Sequence, residues 1–528
     1  MRRIPSLLPL AAACAVTLSA CTGTKPPAPQ GDRVFTLGSP TQVMADWDPA
    51  SQYTNPGNSA MRAMYDTLTF YDAASGKVKP SLATGWKSSR DGKVWTFTLR
   101  AGVRFHNGNP VDATAVKNAI LRTKKLGQGA GYMFQRITSV DTPAANTVVF
   151  HVSRPTPLDM IMSAAYSAWI YDTSAASGKD LAKWFQAGRD AGSGPYTVEK
   201  WKAGQNDELT LKAVPSYWGG WARSHYSKVA FQVIPQESTS ASLLRSGQLD
   251  YVMRLSPQLA TTFAHDPQFK VVSGATWQNL ILFYNAAGGP LKDARLRQAL
   301  AHSIDYKGII SALQGTAVQE NGIIPAGLFG HSDSVPLWQQ DTAKARNLLT
   351  QAGYGPGRKK LRLTMTVTQG DSAGELAATL MKSSLASLNV DLTVQHLQAA
   401  TKYAKAHSAD ASKRQDMTLL YWNPDYPDAE TWFQSLVHTA NPPQFNFSYY
   451  SDKTLDAKID SVQALTVTDR NKAAKVYEAM EQTVYDQAPL QALFTVKPQR
   501  VMSSGVAGFS ENPAYADVVF FHDLHPRD

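Results

Sequence analysis

Two carboxylates in one short stretch, Asp425 and Asp428 of YWNPDYPDAETW (Tyr421 to Trp432), are the groups best suited to hold a ligand. Trp422, Tyr426 and Trp432 surround them, and Asn423 lies between the first ring and the first carboxylate. Carboxylates set among large rings just past a buried strand suit a cationic or amine-bearing ligand. The same residues would also make a solvated turn, rich in Pro and Asp, that caps a helix beginning near Ala429.

The elements that must position this stretch are legible around it. MTLLY, Met417 to Tyr421, is a short apolar run that predicts a buried strand. Pro424 and Pro427 then interrupt regular structure and stiffen a loop. Upstream, Leu361, Leu363, Met365 and Val367 alternate as a strand, Leu376, Leu380 and Leu388 mark a helix, and Val390, Leu392 and Val394 mark a second strand. That order is a β-α-β unit, hence a parallel sheet. Asp416 to Tyr421 would add a strand to it and put the acidic loop at its C-terminal end, where open α/β sheets hold their ligands.

Earlier in the chain the pattern is richer in strands. Val34 to Leu37 reads as a first strand and Ser59 to Leu68 as a helix. Trp95, Phe97 and Leu99 alternate with polar residues, and after Gly102 the segment Val103 to Phe105 is expected to pair back as a hairpin. Asp112 can cap a helix with Val116, Ala119, Ile120 and Thr123 on one face. Trp277 to Asn285 is nearly all apolar and reads as a strand buried on both faces. A late helix carries Ala473, Val476, Tyr477, Met480 and Val484 on one side and ends before Pro489, and Leu490 to Val496 is a strand.

Composition narrows the function. With 528 residues, 43% hydrophobic and 18% charged, this is a folded chain of two or three domains. The net charge of +10 is spread without a basic block, so no nucleic-acid partner is expected. Of the two cysteines, Cys14 lies in an apolar run and Cys21 follows it. Cysteine catalysis, cysteine-rich zinc sites and iron–sulfur clusters are thereby excluded. HExxH, GxSxG and Walker A motifs are missing, and GSG at Gly192 to Gly194 lacks the nucleophile-elbow spacing. His522 and His525 form the closest histidine pair, in a tail that reads as a solvated turn. Neither an enzyme nor a cofactor is expected.

At the N-terminus, Arg2 and Arg3 precede the apolar run Ile4 to Leu18, which is too short for a comfortable membrane span. Leu18-Ser19-Ala20-Cys21 resembles a bacterial lipobox, which implies a signal peptide over residues 1–20 and lipidation of Cys21. A plain secretory signal with an incidental cysteine is the alternative. Residues 21–31, Pro-rich from Lys25, read as a tether.

Several spaced segments then carry a wider resemblance: SLATGWKSSRDGKVWTFTLRAGVRFHNGNPVDATAV, GSGPYTVEKWKAG, YWGG (Tyr217 to Gly220), LKDARLRQALAHSID (Leu291 to Asp305), GIIP (Gly322 to Pro325), DTAKARNLLTQAGY (Asp341 to Tyr354) and NPDYPDAETW. In this order they resemble the peptide- and nickel-binding solute-binding lipoproteins of bacterial ABC importers. The likeness implies an α/β, two-lobed periplasmic-binding-protein-like fold with an inserted subdomain and a ligand cleft between lobes. The first lobe would comprise residues 32–68, 192–276 and 497–528, the inserted subdomain 69–191, and the second lobe 277–496. Crossing strands near Trp277 to Asn285 and Leu493 to Lys497 would form the hinge.

The resemblance also implies roles. Asp425, or failing it Asp428, would hold the α-ammonium of a short peptide. Trp422 and Asn423 would contact the ligand backbone, as would the region after Asp48-Pro49, where Tyr53 is the expected side chain. Trp277 would form the far wall. Ordinary packing is the competing expectation for Tyr53 and Trp277, and Trp422 and Tyr426 suit cleft and core equally. The implied partners are ABC permease and ATPase subunits and, through Cys21, the outer face of the cytoplasmic membrane. The chain would work as a monomer. A nickel chelate, siderophore, haem or glycan ligand, or a peptide-sensing surface role, remains open at this point.

Overall fold

The structure, a computed structural model, describes residues 33–202, 208–222, 224–274, 276–440 and 443–527. The signal peptide, Cys21 and the tether lie outside the described residues.

Two sheets dominate the molecule. In the first, Val34–Ser39 lies between Lys228–Val233 and Tyr251–Val252, parallel to both. Glu208–Ala213 and Tyr196–Lys202 extend one side antiparallel, and Gln499–Ser503 and Phe269–Ser273 complete the other. Phe35 and Leu37 alternate into its core. In the second sheet the strand order is Ala317–Val318, Leu490–Val496, Asn279–Tyr284, Met417–Trp422, Leu361–Thr368 and Val390–Leu397. The expected β-α-β unit is there: Leu361–Thr368 and Val390–Leu397 pair in parallel across the helix Ser372–Ala386. All six residues of Asn279–Tyr284 are buried, because antiparallel neighbours flank the strand and helices cover its faces.

A third sheet, Ala83–Ser88, Val94–Leu99, Thr147–Val152 and Ile137–Ala144, is antiparallel and forms the subdomain. Trp95, Phe97 and Leu99 face its core together with the helix Ala113–Leu126. Asp112 caps that helix by accepting from the Ala115 amide at 2.8 Å. The same apolar cluster continues through Trp277 and Ile281 to Trp432, Leu436 and the helices Lys453–Thr468 and Arg470–Gln487. Subdomain and second lobe therefore share a core. Three ion pairs line their junction: Arg470–Asp159 at 2.7 Å, Arg154–Asp460 at 3.5 Å and Arg136–Glu430 at 3.7 Å.

The chain passes between the two large sheets at two adjacent points. The Thr276 amide donates to the Val496 carbonyl at 3.0 Å, and the Val496 amide donates to Gln278 at 2.7 Å. Two crossing segments bonded side by side leave few residues to absorb a rotation of one sheet against the other.

Local expectations changed in three places. The first helix runs Asn55–Met64, not Ser59 to Leu68. Pro56 starts it in the turn where a missing N–H costs nothing, and Asp66 is already extended, bridging to Ile170. Val103 to Phe105 pairs forward, not back: Phe105 donates to Asn109 and Val111 to Val103. Gly108, at φ +89°, closes that tight loop. The helix Lys453–Thr468 was not among the expected elements, although its buried Leu455, Ile459, Val462 and Thr466 fall at helical spacing.

Candidate functional site

The strand Met417–Trp422 runs antiparallel to Asn279–Tyr284 and parallel to Leu361–Thr368, so it is central and buried. Trp422 opposes Asn279 at the last rung. Beyond it the prolines end the ladder, and the loop delivers Asp425 before the helical turn Glu430–Trp432.

Asp425 is 3% exposed, yet no Lys or Arg forms an ion pair with it among the described residues. Two phenols take that place. The Tyr53 hydroxyl donates to Oδ1 at 2.6 Å, and the Tyr132 hydroxyl donates to Oδ2. Tyr53 comes from the first lobe and Tyr132 from the turn Gly131–Phe134 of the subdomain, so three parts of the molecule meet on one carboxylate. Burial pushes the Asp425 carboxyl up, and the two phenols pull it part of the way back. Tyr53 and Tyr132 are themselves 46% and 45% exposed, while their hydroxyls turn inward to the carboxylate. A carboxylate offers about four lone-pair positions, and two are taken here. The remainder, shielded from water, would attract a cation strongly.

The other sequence candidates divide. Trp422 packs on Phe445 with ring centroids 5.1 Å apart, and its Nε1 has no partner among the described residues. The same holds for the Asn423 Oδ1. These are an unspent donor and acceptor, respectively three and two residues from Asp425. Asp428 and Tyr426 enter a separate buried network. Tyr477 donates to Asp428 Oδ1 at 2.6 Å, as does the Glu430 amide at 3.0 Å. Tyr426 donates to Glu430 at 2.6 Å and accepts from Gln463 at 3.1 Å. Burial, with Glu430 adding its charge, pushes the Asp428 carboxyl up to about 7. Trp277 is fully packed: its Nε1 donates to Ala326 at 3.1 Å and its ring meets Tyr71 edge-on at 5.4 Å.

A cavity of about 510 Å³ opens between the two large sheets. Thr41, Met253 and Arg254 line it from the first lobe and Ala373 and Tyr421 from the second, with the crossing residue Gln278 at its end. None of the seven candidates above is in its lining. Tyr166 packs on Tyr53 with ring centroids 4.7 Å apart, and burial, with the Asp425 charge adding to it, pushes its phenol up.

Sequence reasoning did not single out Tyr132 or Tyr166, which meet Asp425 and Tyr53. For Tyr132 one signal exists, the glycine-rich run GQGAG that places a ring at the tip of a turn. No local feature marks Tyr166.

Residues 77–444 match the family model "Bacterial extracellular solute-binding proteins, family 5 Middle". The chain belongs to this family. It is thus an extracytoplasmic solute-binding protein of the transport type and not an enzyme. The family 5 protein is 28% identical over 482 residues to the "Probable D,D-dipeptide-binding periplasmic protein DdpA" of Escherichia coli K12, covering 89% of this chain and 90% of that one. It is 24% identical over 487 residues to the glutathione-binding protein GsiB of Salmonella typhimurium, covering 90% and 91%. Its fold is that of the two-lobed periplasmic binding proteins. NikA from Brucella suis in complex with Fe(III)-EDTA superposes with a TM-score of 0.83 at 22% identity, over 94% of this chain and 100% of that one. Among the described residues no helix is long and apolar enough to cross a membrane, and no group of three His, Cys, Asp or Glu is placed to hold a metal ion.

Proposed function

We propose that this family 5 protein captures short peptides with a free amino end between its lobes and delivers them to the permease and ATPase subunits of an ABC importer. The observation that carries this reading is Asp425: a buried carboxylate that accepts from two phenols and has no ion-pair partner among the described residues. A peptide ammonium supplies the missing charge. DdpA, which the E. coli name describes as binding a dipeptide, and the DppA of Helicobacter pylori, solved with the peptide STSA, support the ligand class. Binding favours the form in which Tyr53, Tyr132 and Asp425 converge, and so shifts an open–closed equilibrium toward closure. Cys21 lipidation would hold the monomer at the outer face of the cytoplasmic membrane beside its permease.

Calorimetry with paired peptides tests the assignment. Removing one partner of a buried charge pair costs about 3–5 kcal/mol. Asp425→Ala is therefore expected to weaken free-amine peptides by more than about 100-fold and to leave N-acetylated ones nearly unchanged. Equal losses for both would remove Asp425 from the role.

A further inference from the structure

The chain enters its first sheet beside a cluster of rings, on a part of the first lobe that the ligand reading does not use. The Arg33 carbonyl accepts from the Lys228 amide and from the Ser227 hydroxyl, each at 3.2 Å. Just before Ser227, His225 stacks on Trp221 with ring centroids 4.3 Å apart. His522 and Tyr217 lie 5.1 and 6.1 Å from the same Trp221 ring, and Trp218 lies 5.2 Å from Tyr217.

Tyr217, Trp218 and Trp221 are half-buried, and their polar atoms point inward. Trp218 Nε1 and the Tyr217 hydroxyl donate to the buried Asp66 at 2.8 and 3.3 Å, and Trp221 Nε1 donates to the Val214 carbonyl at 2.8 Å. What these rings leave to solvent is carbon. Val34, at the same entry point, is 39% exposed.

The charges around the rings favour an anionic surface. A cavity of about 230 Å³ adjoins them, with Arg62, Tyr217 and Trp218 in its lining. The Arg62 guanidinium lies 4.9 Å from the Phe70 ring centroid and makes one hydrogen bond, to the Thr67 hydroxyl at 3.1 Å. Most of its five N–H groups are unspent. Two acids line the same cavity, and both have partners: Asp66 holds Trp218, Tyr217 and the Ser193 hydroxyl, and Asp523 faces His522 Nδ1 at 3.3 Å. Lys212, exposed, stands opposite Lys228 on the neighbouring strand.

The entry point indicates what covers this face. Twelve residues lead from Cys21 to Arg33, a reach of at most about 40 Å. A lipidated Cys21 therefore keeps the ring cluster within that distance of the bilayer. Tyr and Trp rings favour the headgroup layer, and anionic headgroups attract basic side chains.

We propose that this face docks on the bilayer, with Tyr217, Trp218 and Trp221 against the headgroup layer and Arg62 and Lys212 facing anionic lipid phosphates. This rests on the anchoring part of the reading above.

Vesicle flotation of an unlipidated chain tests the surface without the anchor. The chain is secreted as Cys21→Ser behind an exchanged signal peptide. It is then floated with vesicles of phosphatidylglycerol and phosphatidylcholine, or of phosphatidylcholine alone. The unsubstituted surface is expected to float at least about fivefold more with the anionic vesicles, the scale of one basic side chain near such a membrane. Lys212→Glu should lower that flotation by about fivefold or more. Ala222→Asp, an exposed position beside Trp221, should lower it by a similar factor. A thermal midpoint equal to wild type shows that both variants fold. Unchanged flotation of the folded double variant puts the contact on another face and overturns the proposal. An unlipidated chain that floats with neither vesicle also overturns it and leaves this face to a protein partner. Mass spectrometry of the natively processed N-terminus tests the anchor separately. A Cys21 without diacylglycerol removes the lipidation reading, while flotation still decides whether the face binds lipid.

Discussion

Tyr132 donates its hydroxyl to Asp425, although 293 residues separate the two along the chain. Tyr53 does the same from a distance of 372 residues. These two bonds decide in what state the carboxylate meets a ligand. An ammonium needs it ionised, burial favours the neutral acid, and the phenols offset that burial.

Tyr53→Phe and Tyr132→Phe should each raise the Asp425 pKa. A hydrogen bond to a charged group is worth about 1.5–3 kcal/mol, or on the order of one pH unit or more. The acid limb of the affinity-versus-pH curve for free-amine peptides is expected to move upward by about one unit in each variant, and further in the double variant. Calorimetry between pH 4 and 8 reads this shift. A curve that stays in place would mean the phenols only fill space.

Asp428 predicts a pH dependence of stability. Its folded pKa, about 7, lies above the ordinary carboxylate value, so its contribution is complete at low pH and is lost as pH rises through about 7. Glu481, buried beneath the Ile323 and Ile324 amides, is likewise pushed up to about 7 and acts in the same direction. The thermal midpoint should fall between pH 5 and 8, and fall less in Asp428→Asn than in wild type. Parallel curves for the two proteins would show that Asp428 does not titrate in this range.

Gly192 and Gly194 predict a folding defect. A Cβ on either residue would collide with backbone at the end of the helix Asn55–Met64: the Met64 carbonyl for Gly192, Ala63 and Met64 for Gly194. Neither backbone can yield as a flexible side chain would. Gly192→Ala is expected to cost about 3 kcal/mol or more and to lower soluble yield and midpoint together. A variant that melts with the wild type would show that the glycine segment and the helix end can separate cheaply.

The junction of subdomain and second lobe predicts a salt response. Arg470 and Asp159 meet across it at 2.7 Å, with Arg470 partly exposed and Asp159 buried. Arg470→Gln should shift the closed form by about 1 kcal/mol, roughly fivefold in population, and raised ionic strength should act in the same direction on wild type. Small-angle scattering of the free protein measures the change in radius of gyration. No change in either case would assign closure to the apolar core alone.

Period and punctuation made much of this protein readable before folding was considered. The alternation of Leu361, Leu363, Met365 and Val367, the helical spacing that follows and the apolar run Met417 to Tyr421 settle a parallel sheet with an acidic loop at its end, because they are local and repeat at the pitch of the backbone. Proline at 424 and 427 settles where that strand stops, since a missing N–H ends a ladder whatever surrounds it. Which of the two buried loop carboxylates lies beside partly exposed phenols is not a local matter. Asp425 and Asp428 have the same chemistry three residues apart, and only folding brings Tyr53 and Tyr132 to one and Tyr477 to the other. Tyr132 is the plainest case: it lies 293 residues before the loop, and only folding brings its hydroxyl to Asp425. Residue type sets what a side chain can do, whereas burial and neighbours hundreds of residues away set which charges are left without a partner.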